Sequence, residues 1–243
     1  MTDAAGVTQQ LLNLHSISDI RRFGSRSSSS YTPPMPEPFI KTRHWLQPVT
    51  RAALKLLGWK IEGELPTSPK LVVIMYPHTS FWDGPVAIAT GYAAGVLGGT
   101  WPHGFMIKVE WFDTLLGPLI KALGGIGIDR SHSVNAVGQM VAAFETRERL
   151  ILGITPEGTR RYRKFWRSGF YKIAMEAQVP VVPGRVDFAT KTARIGPEMV
   201  MTGDVEQDLE RLRVFYAGVK GHVPANQAPI RFRDQRLVES PEE

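Results

Sequence analysis

Two side chains able to manage a proton stand five positions apart in the stretch MYPHTSFWDGP: His78, whose imidazole can accept one near neutral pH, and Asp83, whose carboxylate can orient that imidazole. On a regular helix, five positions correspond to a rotation of about 140°, so the two would not share a face. They can meet if the apolar run before them is a strand ending at His78 and if Ser80 caps a helix beginning at Phe81. The chain then turns between the two residues, and Asp83 points back at the ring. The same letters also spell a capping box, with Asp83 three positions after Ser80, so on spacing alone helix initiation is the plainer account.

Two further polar segments follow strand-like runs. In LGGIGIDRS, Arg130 comes directly after a short apolar stretch; in ITPEGTRRYRKFWR, a strand gives way to Glu157, Gly158, Thr159 and Arg160. Between Glu157 and Lys172 there are six basic residues against one acidic, enough to hold a phosphate through bidentate arginine contacts. A solvated basic surface is the plainer reading, and Glu157 with Arg160 can also be a helix-face ion pair. The chain has no cysteine, which removes disulfides, thiolate metal sites and cysteine nucleophiles. Nor does it contain an H-E-x-x-H pair, a nucleotide-binding glycine loop or a G-x-S-x-G elbow, so neither a metal nor a cofactor is expected.

Behind these segments lies a strand-helix alternation. Strands are predicted at 70–76, 104–109, 125–129, 150–155 and 180–186, with helices near 82–97, 111–123, 133–147, 168–178 and 204–219. That rhythm predicts an α/β fold, a mostly parallel central sheet flanked by helices, with its site at the carboxyl ends of the strands. No internal repeat interrupts it.

With 43% hydrophobic residues among 243, the chain can bury one substantial core. Residues 1–38 read as a loose N-terminal segment ending in a Ser- and Pro-rich linker, without the features of a cleaved targeting sequence. Residues 39–60 read as an amphipathic helix, docked on the core or lying at a membrane interface. In it Pro48 suits the start and Gly58 the stop, while Trp45, Leu46, Leu54, Leu57 and Trp59 alternate with five basic residues. The main domain is expected over 61–230 and a charged tail over 231–243. Residues 84–107 lack charged side chains, but Gly, Thr, Pro102 and His103 dilute the run, which predicts a buried helix and strand rather than a bilayer crossing. A net charge of +6 favours anionic partners: phosphates, acidic membranes or nucleic acid.

In order and rough spacing, PHTSFWD, GGIGIDR, TPEGTR and VPVVP resemble the four sequence blocks of the glycerolipid acyltransferase family, which includes lysophosphatidic acid and glycerol-3-phosphate acyltransferases. IKVEWFDTLLGPLIKALGG, residues 107–125, is similar to the segment before that family's second block. The resemblance implies an O-acyltransferase that moves a fatty acyl group from acyl-CoA or acyl carrier protein to a hydroxyl of a lysophospholipid-type acceptor, 1-acylglycerol-3-phosphate foremost. It implies His78 as general base and Asp83 as its partner. Lys108, Arg130, Glu157 and Arg160 would bind substrate, Gly158 and Thr159 would shape the same loop, and Val179 to Pro183 would border the acyl site. It further implies a cytoplasmic protein peripheral to the inner face of a membrane, with residues 39–60 as the attachment and no nucleic-acid partner. Pro77 stands where many members have Asn, and Thr155-Pro156 where many have Phe-Pro. Another polar-lipid acceptor is one alternative. From a different class, a non-catalytic binder of anionic lipid or nucleic acid is another, since RRYRKFWR interleaves aromatic and basic residues as single-strand binders do.

Overall fold

The central strand, Lys70–Tyr76 (β2), reads KLVVIMY, an apolar run of the kind a parallel strand covered on both faces requires. Its two faces are nevertheless unequal: Val72, Ile74 and Tyr76 are buried, whereas Val73 and Met75 are only half-buried. The computed structural model describes residues 46–97, 103–122, 125–128 and 133–233. The first segment, residues 1–38, lies outside these, as do Trp45 and Arg130.

Around β2 the chain builds a seven-stranded sheet from Lys60–Glu62 (β1), His103–Lys108 (β3), Gly125–Ile128 (β4), Leu150–Ile154 (β5), Val181–Asp187 (β6) and Thr192–Ile195 (β7), in the order β1-β7-β6-β2-β5-β3-β4. Every neighbouring pair is parallel except β6 with β7. The helices are Leu46–Leu56 (α1), Asp83–Ala94 (α2), Gly117–Ala122 (α3), Ser133–Glu145 (α4), Gly169–Glu176 (α5) and Val205–Phe215 (α6), with 3-10 turns at Val109–Asp113 and Pro224–Asn226.

On one face of the sheet, aromatic rings fill the space beneath α5 and α6. Tyr76 meets Trp166 and Tyr216 at centroid distances of 5.0 Å each, and Trp166 continues to Phe170 at 6.1 Å, all edge to face. The Tyr216 hydroxyl donates to the main chain of β2 and β6, at Ile74 O and Gly184 O, so this layer is tied as well as packed. The other face is hollow. An apolar cavity of about 710 Å³ lies there, floored by Val73, Met75, Gly153 and Val182 and roofed by residues of α2 and α3.

Four expectations need correction. β1 and β7 were not foreseen: three and four residues long, and polar in part, they carry too little pattern to read. The helix expected over 111–123 is divided, because the turn after Trp111 closes as a 3-10 element and α3 begins only at Gly117. In the segment 39–60 the stop expected at Gly58 is where the chain turns, at φ 79°, just after α1 ends at Leu56, but Trp59 and Lys60 are not helical. Trp59 then packs edge-on against Phe188 at 5.2 Å rather than facing outward, and Lys60 opens β1. Finally, the domain extends past 230: Phe232 is buried and bridges to Trp166.

Candidate active site

β2 and β5 are adjacent and parallel, so the loops leaving their carboxyl ends emerge side by side. The first carries His78 to Asp83 and the second Thr155 to Arg160. The strand ends at Tyr76, the chain turns, and α2 starts at Asp83, two residues later than the expected start at Phe81. Ser80 does not cap Asp83; its Oγ accepts from Trp82 N at 3.1 Å. The reciprocal half of the capping box does form. Asp83 Oδ2 accepts from Ser80 N at 2.7 Å and also from Thr79 N.

The turn brings Asp83 back to the histidine, with His78 Nδ1 3.5 Å from Asp83 Oδ2. Asp83 is 3% exposed, and its Oδ1 is buried without a hydrogen-bond partner among the described residues. Oδ2 thus holds the loop and is also the oxygen that faces the imidazole. The group that closes the helix entrance is therefore also the one facing the ring. The His78 side chain is 25% exposed and borders the cavity.

Glu157 departs from the role that the resemblance implies. It is 1% exposed, and its two oxygens accept from His78 N and from Ala228 N, the latter at 2.8 Å. A carboxylate engaged at both oxygens inside the fold ties loops together rather than presenting charge to an acceptor, and it forms no helix-face pair with Arg160. Burial pushes Glu157 up to about 7; the N–H groups of Ala228 and His78 pull it down, and the charge of Asp83 adds to the rise.

Arg160 lies at the cavity mouth between two rings, its guanidinium carbon 5.9 Å from the centroid of Phe81 and 5.9 Å from that of Trp111. Thr159 and Gly158 line the same wall. Gly158 has φ 63°, and a Cβ there would come within 2.9 Å of the Arg167 side chain, so the turn requires glycine. Lys108 closes β3 opposite Ile128. Arg130 lies outside the described residues. Val182, from the block expected to border the acyl site, does line the cavity. Sequence reasoning missed Phe81, Trp111 and Thr79. It missed them because aromatic and hydroxyl residues carry no motif of their own, and their partners are distant in the chain.

The sheet order and a site at the ends of β2 and β5 define an α/β protein with a His-Asp pair beside an apolar cavity. The chain belongs to the acyltransferase family, whose profile, described simply as Acyltransferase, matches residues 59–187, just over half of the sequence. Among curated proteins it is 34% identical over 122 residues to a probable 1-acyl-sn-glycerol-3-phosphate acyltransferase of Mycoplasma pneumoniae, covering 47% of this chain and 43% of that one. A protein of the same description from Mycoplasma genitalium is 33% identical over 127 residues, covering 49% and 44%. The match therefore spans less than half the length of these relatives. The crystal structure of the 1-acyl-sn-glycerophosphate (LPA) acyltransferase PlsC from Thermotoga maritima superposes with a TM-score of 0.44 at 18% identity, over 69% of this chain and 75% of that one.

Proposed function

We propose that the protein transfers a fatty acyl group from a thioester, acyl-CoA or acyl carrier protein, to the hydroxyl of a lysophospholipid-type acceptor, with 1-acylglycerol-3-phosphate the leading candidate. The observation that carries this reading is the His78–Asp83 pair at 3.5 Å on the rim of a large apolar cavity that also borders Arg160. Asp83 beside Nδ1 favours the tautomer with the proton on that nitrogen, which leaves Nε2 as the base. Nε2 takes the acceptor's hydroxyl proton as its oxygen attacks the thioester carbonyl. Collapse of the tetrahedral intermediate expels the thiolate, and the imidazolium returns the proton to it. No acyl-enzyme is needed, because the nucleophile belongs to the substrate.

In this reading the acyl chain occupies the cavity, whose size falls in the usual range for ligand sites. Arg160 meets the acceptor's phosphate through its planar fork. The assay is thiol release from long-chain acyl-CoA with and without a panel of lysolipids. Release that depends on a lysophosphatidic acid supports the proposal, and no acceptor-dependent release from any panel member refutes it.

The same reading places the protein on a membrane surface. Among the described residues no helix is long and apolar enough to cross a membrane. Instead α1 buries Leu54 and exposes Val49 and Leu56 beside Lys55, with Leu57 exposed just after it, while Phe81 and Leu119 of the cavity lining and, nearby in the chain, Trp82 and Leu115 stand exposed. Replacing Leu56, Leu57 and Leu115 together with Ser should release the protein from anionic liposomes in a sedimentation assay. Unchanged sedimentation would reject the attachment.

A further inference from the structure

Residues 219–232 follow α6 and lie beyond the segment matched by the family profile, yet they hydrogen-bond to Thr79 in the loop that carries His78, to Tyr76 at the end of β2 and to Glu157 in the neighbouring loop. Val223 N donates to Thr79 Oγ1 at 3.1 Å, and Asn226 Nδ2 donates to Thr79 O at 3.3 Å. Ala228 uses both of its main-chain groups: its N–H goes to Glu157, and its carbonyl accepts from the Tyr76 hydroxyl at 2.8 Å. Gln227 braces this segment from within, its side chain accepting from Gly221 N at 3.2 Å and donating to Val219 O at 3.0 Å.

One peptide plane links this strap to the proposed chemistry. The carbonyl of Thr79 and the N–H of Ser80 belong to the same planar unit, so fixing one end fixes the other. Asn226 holds the carbonyl end, and the N–H end donates to Asp83 Oδ2 at 2.7 Å. The adjoining Thr79 N–H donates to the same oxygen, and the Thr79 side chain is itself held by Val223. The strap also touches this residue by packing, since a Cβ on Gly221 would come within 2.6 Å of Thr79 Oγ1 and 2.8 Å of its Cγ2. The path from Asn226 to the imidazole is therefore short: side-chain amide, one peptide plane, the Asp83 carboxylate, His78.

We propose that residues 219–232 form a strap that aims Asp83 at His78 through the Thr79–Ser80 peptide, with Asn226 as its positioning residue and Gly221 as the close contact that seats Thr79. Asn226 does not touch substrate. Its loss lets the peptide rotate, and the carboxylate that depends on its N–H leaves its place beside the ring. The inference rests on the His78–Asp83 reading, and its test separates the two.

Asn226→Asp keeps the shape of the side chain but sets a carboxylate against the Thr79 carbonyl, while Gly221→Ala pushes on Thr79 from the other side without altering any donor. Both are purified with the wild type and His78→Ala, checked by circular dichroism and thermal unfolding, and assayed with acyl-CoA and acceptor varied in turn. The strap predicts kcat reduced by roughly ten- to a hundredfold in both variants, because a small displacement of a catalytic group is costly, with both KM values within about twofold of wild type. Full kcat in either folded variant, beside an inactive His78→Ala, overturns the strap and leaves the base in place. Losses in kcat that merely match the unfolded fraction, or that move with both KM values, also overturn it. If His78→Ala itself turns over normally, the base assignment fails and the strap's role fails with it.

Discussion

The two faces of the central sheet are built on opposite principles. Behind β2, Tyr76, Trp166, Phe170, Tyr171, Tyr216 and Phe232 interlock edge to face, and the Tyr76 and Tyr216 hydroxyls donate to main-chain carbonyls. In front of β2 the strand residues face a cavity, and Val73 and Met75 keep part of their surface uncovered. Alternation along one strand assigns the two tasks: even-numbered residues 72, 74 and 76 hold the fold, and odd-numbered residues 73 and 75 line the cavity.

Substitutions on the two faces should therefore behave differently. Phe170→Ala opens a void in the packed layer and should cost about 3–5 kcal/mol of stability, read by urea unfolding. Val73→Phe adds volume on the half-covered side that faces the cavity, so stability should hold within about 1.5 kcal/mol while long acyl donors lose turnover more than short ones. Equal destabilisation by the two changes would erase the distinction between the faces.

Glu157 lies where the two regions meet and gives a pH-dependent contrast. Its value in the fold is raised from 4.5 to about 7 by burial. The folded state therefore binds this proton more tightly than the unfolded chain, and the stability it lends is fully present below pH 4.5 and lost as pH rises through about 7. The whole change amounts to roughly 3 kcal/mol. Glu157→Gln has no such titration. The unfolding free energy of wild type minus that of the variant should fall by about that amount between pH 4.5 and pH 8, as read from paired denaturant titrations. Parallel curves would show that Glu157 stays charged throughout.

At the mouth, where the Phe81 and Trp111 rings flank Arg160, effects should be confined to one substrate. Arg160→Ala should raise KM for a phosphomonoester acceptor by roughly 1.5–3 kcal/mol of lost charge-assisted bonding and leave KM for acyl-CoA nearly unchanged. Arg160→Lys should recover only part of this, since lysine keeps the charge without the planar fork. Equal losses on a monoacylglycerol, which has no phosphate, would assign Arg160 to the fold or the donor.

Much of this arrangement was legible in the sequence because its signals are local. The apolar run 70–76, the turn at His78 and the helix beyond it place a His-Asp pair at a strand end, and the α/β rhythm places that end at the site. Glu157 was not legible in the same way. Its letter and position resemble a substrate contact, but its partners are the N–H groups of His78 and Ala228, distant in the chain, and only the folded topology brings them together. The strap was invisible for the same reason: Asn226 and Gly221 acquire meaning only from Thr79, more than 140 residues earlier. β1 and β7 escaped because a three- or four-residue edge strand has no period to detect.

The most direct test of the central claim is the turnover of Asp83→Asn. An asparagine oriented with its oxygen in the place of Oδ2 can still accept from Thr79 N and Ser80 N, so the loop and the start of α2 should survive, with a melting temperature close to wild type. The charge beside His78 Nδ1 is lost, and with it the stabilisation of the imidazolium that forms as the acceptor oxygen attacks. Acyl transfer by the folded variant should fall by about 10²-fold or more. A stable Asp83→Asn protein with wild-type turnover would show that this carboxylate only closes the helix entrance, and the His78–Asp83 account of the site would be wrong.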